Sequence, residues 1–136
     1  MDPLSSWPVR ALLVSVGAIP GACLRYGLLV HLAPRLPRTW GAAASVNLLA
    51  CLLLGLVLSG LSPHPPALRQ PVLLLLATGF LGSLSTFSTW MLELLQALEE
   101  RQLRRALAGL LGPLLAGLLA LAIGEHLGRV LLGGGR

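Results

Sequence analysis

The chain of 136 residues is 55% hydrophobic and only 11% charged, with a mean hydropathy of +0.82. Soluble domains carry charges on about a quarter of their residues, so this composition excludes a soluble globular protein. The net charge of +5 comes from arginines scattered between apolar runs, whereas nucleic-acid binding requires a clustered basic patch. We therefore expect a single membrane-embedded domain over residues 1–136 and no nucleic-acid partner.

Four apolar segments reach the length of about 20 residues that a helix needs to cross a bilayer. They cover roughly residues 9–33, 40–61, 70–97 and 103–132. Short connectors rich in proline or charge separate them. This arrangement predicts an all-α, multi-pass protein of the cell membrane, with four transmembrane helices in up-down-up-down order.

The first span contains closely spaced small residues and a cation. Gly17 and Gly21 are four residues apart, a spacing that lets two helix backbones approach closely, and Pro20 predicts a kink. Arg25 lies further along the same apolar run. A cation at this depth either marks an ion path or extends its head group to the interface, and both readings stay open.

Asn47 is the amide deep in the second span. A side-chain amide offers two hydrogen-bond donors and an acceptor oxygen. These groups serve either to join neighbouring helices, which is the commoner role in membranes, or to donate to a passing anion.

The third span is the most unusual. Residues 79–90 read Gly-Phe-Leu-Gly-Ser-Leu-Ser-Thr-Phe-Ser-Thr-Trp, with two glycines and five hydroxyl side chains. This composition predicts a broken helix, tolerated in a membrane only where it is buried in protein or lines a cavity. A break frees carbonyl oxygens, which are good ligands for Na⁺. Phe87 and Trp90 share a helix face, and their ring edges carry positive charge that suits an anion, although packing alone is the alternative.

The last span is apolar, and Gly124 and Gly128 repeat the close-packing spacing. Orientation in the membrane follows the side that carries more arginine, but the two sides are nearly balanced, with four against five. These are Arg10, Arg69, Arg129 and Arg136 against Arg35, Arg38, Arg101, Arg104 and Arg105. The balance permits insertion both ways and an antiparallel dimer, while a single fixed orientation stays open.

Residues 79–90, followed by Glu93, resemble the third-span signature of the CrcB/Fluc family of fluoride channels, Gly-Phe-Cys-Gly-Gly-x-Thr-Thr-Phe-Ser-Thr-Phe. The first and second spans agree through Gly17, Gly21, Arg25, Tyr26, Asn47 and Gly55. The resemblance covers nearly the whole chain.

The resemblance implies a fluoride-selective channel, not an enzyme, that lowers cytoplasmic fluoride by passive export. It implies an antiparallel homodimer, or a heterodimer with a related chain, embedded in the lipid bilayer. It also implies a structural Na⁺ at the dimer interface. By position, the sodium ligands would be the backbone carbonyls of Gly82 and Ser85, two from each subunit.

The resemblance also assigns an anion pathway. It consists of a pore amide, two aromatic rings, three hydroxyls and a cation: Asn47, Phe87, Trp90, Thr86, Ser88, Thr89 and Arg25. Fluoride is small and heavily hydrated, so such a pore must replace water with donors and partial positive charges. Arg25 would act near the entrance or hold the structure.

Several positions depart from the family pattern. Trp90 replaces the second Phe, which keeps a ring edge and adds an N–H donor in a larger side chain. Ser85 replaces Thr, and a carbonyl ligand survives that change. Family members often carry Tyr and Ser in the fourth span, whereas residues 106–121 offer only Gly, Ala, Leu and Pro113.

Two other functions fit a small four-span protein. A proton-coupled multidrug-type transporter needs a carboxylate within the membrane, and the candidates Glu93 and Glu125 lie towards the ends of their spans. A non-conducting subunit of a heteromeric membrane complex fits the altered fourth span.

Overall fold

The computed structural model describes residues 6–35 and 41–132, and these residues form only helices and turns. The helices are α1 (Trp7–Leu32), α2 (Ala42–Leu61), α3 (residues 66–84), α4 (Ser88–Glu99) and α5 (Leu103–Leu132). The α3–α4 unit, Pro66–Glu99, and the helices α1, α2 and α5 are each long and apolar enough to cross a membrane. The predicted all-α, multi-pass membrane protein with four spans is thereby confirmed.

Parts of the sequence predictions fall outside the described residues. These parts are Arg38, Arg136 and the first residue of the predicted second span, at position 40. The arginine balance between the two sides therefore remains a sequence observation.

Helix α1 packs against α3 through glycines. Gly17 and Gly21 are the buried residues of α1, and a Cβ atom on Gly17 would overlap the Leu75 carbonyl of α3. From the other side, a Cβ on Gly79 would lie 2.6 Å from the Val14 carbonyl oxygen. The two backbones are in direct contact, which is the close approach that the spacing of Gly17 and Gly21 predicts.

Helices α2 and α5 form a second glycine-mediated pair. A Cβ on Gly124 would overlap the Leu52 carbonyl, and one on Gly55 would overlap the Leu121 carbonyl. A Cβ on Gly128 would lie 2.7 Å from Cβ of Ser59. The small residues of both helices are therefore required by space rather than by backbone conformation.

Helix α3 changes its winding along its length. It begins as an α-helix at Pro66–Val72, widens to a π-helix at Leu73–Leu81 and ends with the short α-helical stretch Gly82–Leu84. Runs of π-helix are rare, and where they occur they frequently accompany functional sites. Here the π-helix leads directly into residues 85–87, which separate α3 from α4.

The buried core is small. Val46, Ala50, Leu81 and Leu84 form it, where α2 meets α3. Many large apolar side chains point outwards instead, including Leu118 and Leu119 of α5, which are 58% and 62% exposed. An apolar exterior of this extent would be a liability in water, but it suits a protein whose solvent is lipid.

Candidate ion pathway

The predicted pathway residues of the third span lie in, or directly after, a short stretch of non-helical backbone. Leu84 ends α3, Ser85 is extended with φ −68° and ψ 151°, and α4 begins at Ser88. Serine and threonine side chains can bond to nearby backbone groups in competition with the helical ladder. Two hydroxyls do so here: Ser85 Oγ donates to the Gly82 carbonyl at 3.3 Å, and Ser83 Oγ lies 3.0 Å from the Phe80 carbonyl.

Asn47 joins α2 to this stretch. Its Nδ2 donates to the Thr86 carbonyl at 2.9 Å, and its Oδ1 accepts the Thr86 backbone N–H at 2.7 Å. The amide therefore pairs with both backbone groups of one residue, as a neighbouring strand would. Thr86 is only 4% exposed, so these bonds supply partners that water cannot provide there.

The three predicted hydroxyls do not all meet. Thr86 Oγ1 donates to Thr89 Oγ1 at 3.1 Å, so these two threonines form one polar pair. Ser88 lies between them in sequence and is exposed. The structure thus brings Thr86 and Thr89 together, whereas Ser88 lies on the exposed surface of the chain.

Arg25 reaches the same stretch from α1. Its Nη1 donates to the Ser85 carbonyl at 3.3 Å. The structure thus places the Arg25 guanidinium against the backbone of the third span. The guanidinium has five N–H donors, so this single bond leaves others for an ion.

The two aromatic rings lie at right angles. The Phe87 and Trp90 centroids are 5.9 Å apart with an interplanar angle of 84°, an arrangement that aromatic pairs favour. Phe87 is 67% exposed on the surface of a single chain, whereas Trp90 is half-buried. The Phe87 ring therefore faces outwards, while the Trp90 ring is partly covered.

The Trp90 indole bonds to the last helix. Its Nε1–H donates to the Gly109 carbonyl of α5 at 2.7 Å. Gly109 stands four residues before Pro113, which lies inside the same helix. Sequence reasoning missed Gly109 and Pro113 as site residues. The signal was present, because a proline within a helix removes the hydrogen bond to the carbonyl four residues earlier.

A cavity of about 780 Å³ opens beside this indole. Thr89, Trp90, Gly109 and Pro113 contribute to its wall, together with charged side chains that include Glu93. No other pathway residue among those that the structure describes lines this cavity. Thr89 and Trp90 therefore connect it to the polar stretch at residues 85–87.

Glu93 lies at the wall of this cavity next to the beginning of α2. A Cβ atom on Gly41, which precedes the helix, would lie 2.7 Å from Cδ of Glu93. The glycine at position 41 makes room for the Glu93 carboxylate.

Gly82 and Ser85 offer backbone carbonyl oxygens, which are hard ligands that suit Na⁺. The Gly82 carbonyl is freed from the helical ladder, because the Thr86 N–H four residues on bonds to Asn47 instead. The Ser85 carbonyl accepts from Arg25, a cation, and the Gly82 carbonyl accepts from Ser85 Oγ, so each oxygen has one lone pair left for an ion. Two oxygens fall well short of the six or more ligands of a hard cation. Two more from a second chain would give four, an incomplete shell that water would have to complete.

Comparison with known proteins assigns the chain to a family. A sequence profile described as "CrcB-like protein, Camphor Resistance (CrcB)" matches residues 12–125. A relative from Prochlorococcus marinus, named "Fluoride-specific ion channel FluC 1", is 46% identical over 126 residues, or 91% of this chain and 94% of its own length.

Two further relatives agree. A "Fluoride-specific ion channel FluC 1" from Synechococcus sp. is 43% identical over 121 residues, which cover 88% of this chain and 94% of the relative. A "Fluoride-specific ion channel FluC" from Chloroflexus aurantiacus is 39% identical over 119 residues, which cover 87% and 94%. The chain belongs to the CrcB family.

Proposed function

We propose that this chain forms a fluoride-selective channel that lowers cytoplasmic fluoride by passive export across the cell membrane. The observation that carries the proposal is the 46% identity, over 126 residues, to a relative named as a fluoride-specific ion channel. The relatives are named as channels, which favours a channel over an enzyme, a proton-coupled transporter or a non-conducting subunit.

Passive export has a physical basis. An interior-negative membrane potential drives anions outwards, by about 2.3 kcal/mol per elementary charge for each 100 mV. The protein then needs only to replace the hydration shell of fluoride with donors and partial positive charges. Groups of this kind are the second N–H of Asn47, the hydroxyls of Ser88 and Thr89, the remaining Arg25 donors and the edges of Phe87 and Trp90. The Thr86 hydroxyl gives its hydrogen to Thr89 and would line the path through that pair.

The exposure of Phe87 supports a dimeric pathway. A ring that is 67% exposed on one chain cannot enclose an ion by itself. A second chain packed over residues 82–88 would close the path and bring further carbonyls close to Gly82. The balanced arginines are compatible with opposite orientations of the two chains, so an antiparallel homodimer, or a heterodimer with a related chain, follows as the proposed assembly.

The same assembly would hold the structural Na⁺. The carbonyl oxygens of Gly82 and Ser85 from both chains would supply four ligands. A bound cation would neutralise the negative ends of these carbonyl dipoles and fix the non-helical backbone of both chains. Arg25 contributes to the same end within each chain, because it donates to the Ser85 carbonyl.

Fluoride efflux from liposomes tests the proposal. Purified chain is reconstituted alone into vesicles loaded with potassium fluoride, and efflux is followed with a fluoride electrode after valinomycin is added. We expect rapid efflux that a matched chloride-loaded sample does not show. Equal release of both anions, or no release from folded protein, would contradict a selective homomeric channel. Coexpression with a related chain then separates a missing partner from a non-conducting role.

A further inference from the structure

Pro113 leaves one backbone acceptor of α5 without its usual helical donor. Proline lacks an N–H, so the Gly109 carbonyl cannot receive the bond that residue 113 would otherwise donate. Pro113 lies inside the span Leu103–Leu132, at the wall of the cavity of about 780 Å³. The Gly109 carbonyl therefore needs another donor, either a protein group or water in that cavity.

The Trp90 indole supplies that donor. Its N–H points at the Gly109 carbonyl oxygen with a separation of 2.7 Å, a short distance for such a bond. A phenylalanine ring at this position would have no polar hydrogen to donate. The tryptophan of the third span and the proline of the fourth therefore match each other chemically.

The bond also fixes the ring geometry of the pathway. An indole held by its N–H has a defined plane, and Phe87 packs perpendicular to it at 5.9 Å. Both Trp90 and Pro113 border the cavity of about 780 Å³. The fourth span thus reaches the aromatic pair through a backbone carbonyl, although it offers no polar side chain between residues 106 and 121.

We propose that Pro113 is a positioning residue of the ion pathway: it frees the Gly109 carbonyl, which holds the Trp90 indole and, through it, the orientation of Phe87. The inference rests on the proposed fluoride conduction. In this arrangement the Trp90 ring lines the pathway, but its N–H donates to α5 and not to the anion.

A double-mutant cycle tests the pair without reference to transport. Thermal unfolding is compared for the parent, Trp90→Phe, Pro113→Ala and the double variant. In the parent, Trp90→Phe leaves the Gly109 carbonyl unpaired, whereas in Pro113→Ala the backbone N–H restored by alanine takes that carbonyl. We expect Trp90→Phe to lower the unfolding midpoint clearly less in the Pro113→Ala background. Equal shifts in both backgrounds would overturn the pairing.

Pro20→Ala is the matched control, because Pro20 is an exposed proline inside another span, α1. Its effect and that of Trp90→Phe should add. Indole ¹⁵N–¹H spectra give a second readout, in which the Trp90 signal, identified by its loss in Trp90→Phe, should move in Pro113→Ala and stay in place in Pro20→Ala. A signal that does not move in Pro113→Ala would also overturn the pairing.

Fluoride efflux then tests the positioning role. We expect Pro113→Ala to slow efflux by about three- to tenfold, the effect of losing one hydrogen bond, and Trp90→Phe added to it to restore the rate in part. Unchanged efflux in Pro113→Ala would reduce the pair to a structural contact and overturn the positioning role. A folded parent that passes no fluoride would refute the proposed function, while the stability cycle would still report on the pair itself.

Discussion

Asn47 illustrates how one polar side chain stabilises irregular backbone inside a membrane. Its carbonyl and one N–H pair with the two backbone groups of Thr86, at 2.7 and 2.9 Å. Without them, a peptide N–H and C=O would face apolar surroundings at the point where the helix ends. The second N–H of the amide stays available, so holding the backbone and contacting an anion are compatible roles.

We expect Asn47→Leu to destabilise the protein by about 2–4 kcal/mol, because both Thr86 backbone groups lose their partners. Asn47→Asp keeps an acceptor for the Thr86 N–H, but an ionised carboxylate turns a second oxygen towards the Thr86 carbonyl, so this variant should also be destabilised. Ser45→Ala, in the same helix, is the control and should leave stability nearly unchanged. Unfolding in detergent measures all three. An Asn47→Leu protein as stable as the parent would show that the Thr86 pairing is dispensable.

Phe87→Leu removes an aromatic edge from the proposed path while keeping an apolar side chain. Because Phe87 is 67% exposed, the change should alter the stability of the single chain by only about 0.5 kcal/mol. Fluoride efflux should nevertheless fall roughly tenfold or more if the ring edge carries the anion.

Phe80→Leu is the matched control, because Phe80 packs against the core formed by Val46 and its neighbours. It should show the reverse pattern, with lower stability and nearly normal efflux. If both variants lose stability and efflux in parallel, the Phe87 ring has no separate role in conduction.

The sequence predicted that the polar residues of the third span are unusual, but it did not predict which groups they hydrogen-bond to. Residue types indicated donors and acceptors at Asn47, Thr86 and Trp90, and local spacing placed Phe87 beside Trp90. Their hydrogen-bond partners are distant in sequence: the partner of Asn47 lies 39 residues away and that of Trp90 lies 19 residues away. Such pairs depend on how the helices pack, which local sequence does not give. Only Pro113 carried a local signal of such a partner, since a helical proline frees a known carbonyl.

At the scale of helices, the packing rests on glycines at two interfaces. The sequence indicated close approach at Gly17 and Gly124 from spacing alone, and both meet a neighbouring backbone. The π-helical stretch Leu73–Leu81 was not predicted. Its residues are mostly leucine, and no residue type in it distinguishes a π-helix from an α-helix, so the winding depends on how α3 packs.

Gly124→Ala should destabilise the protein by several kcal/mol, because its Cβ would overlap the Leu52 carbonyl on the α2 backbone. Gly117→Ala, in the same helix, is the matched control. Its Cβ would lie 3.4 Å from Cys51 Sγ, an ordinary contact, and alanine gains up to about 1 kcal/mol of helix propensity. Thermal unfolding of both variants is the measurement; equal effects would mean that α2 and α5 separate easily.

For the whole molecule, we expect the stability of the dimer to depend on the presence of Na⁺. Four carbonyls from two chains bind a hard cation more strongly than the two carbonyls of one chain, so a bound Na⁺ would favour the dimer. We expect exchange into N-methyl-D-glucamine to lower the dimer fraction, and elemental analysis to find about one Na⁺ per two chains beforehand. Protein that retains no sodium and dimerises equally well without it would argue against the site.

The reversal potential of single channels in a planar bilayer tests the central claim most directly. With a tenfold fluoride gradient and symmetrical chloride, a fluoride-selective pore should reverse at about 59 mV, the value for one charge. The sign should follow fluoride moving down its gradient, and reversing the gradient should reverse the sign. A reversal potential near zero, or one that follows a chloride gradient, would contradict the assignment of a fluoride-selective channel.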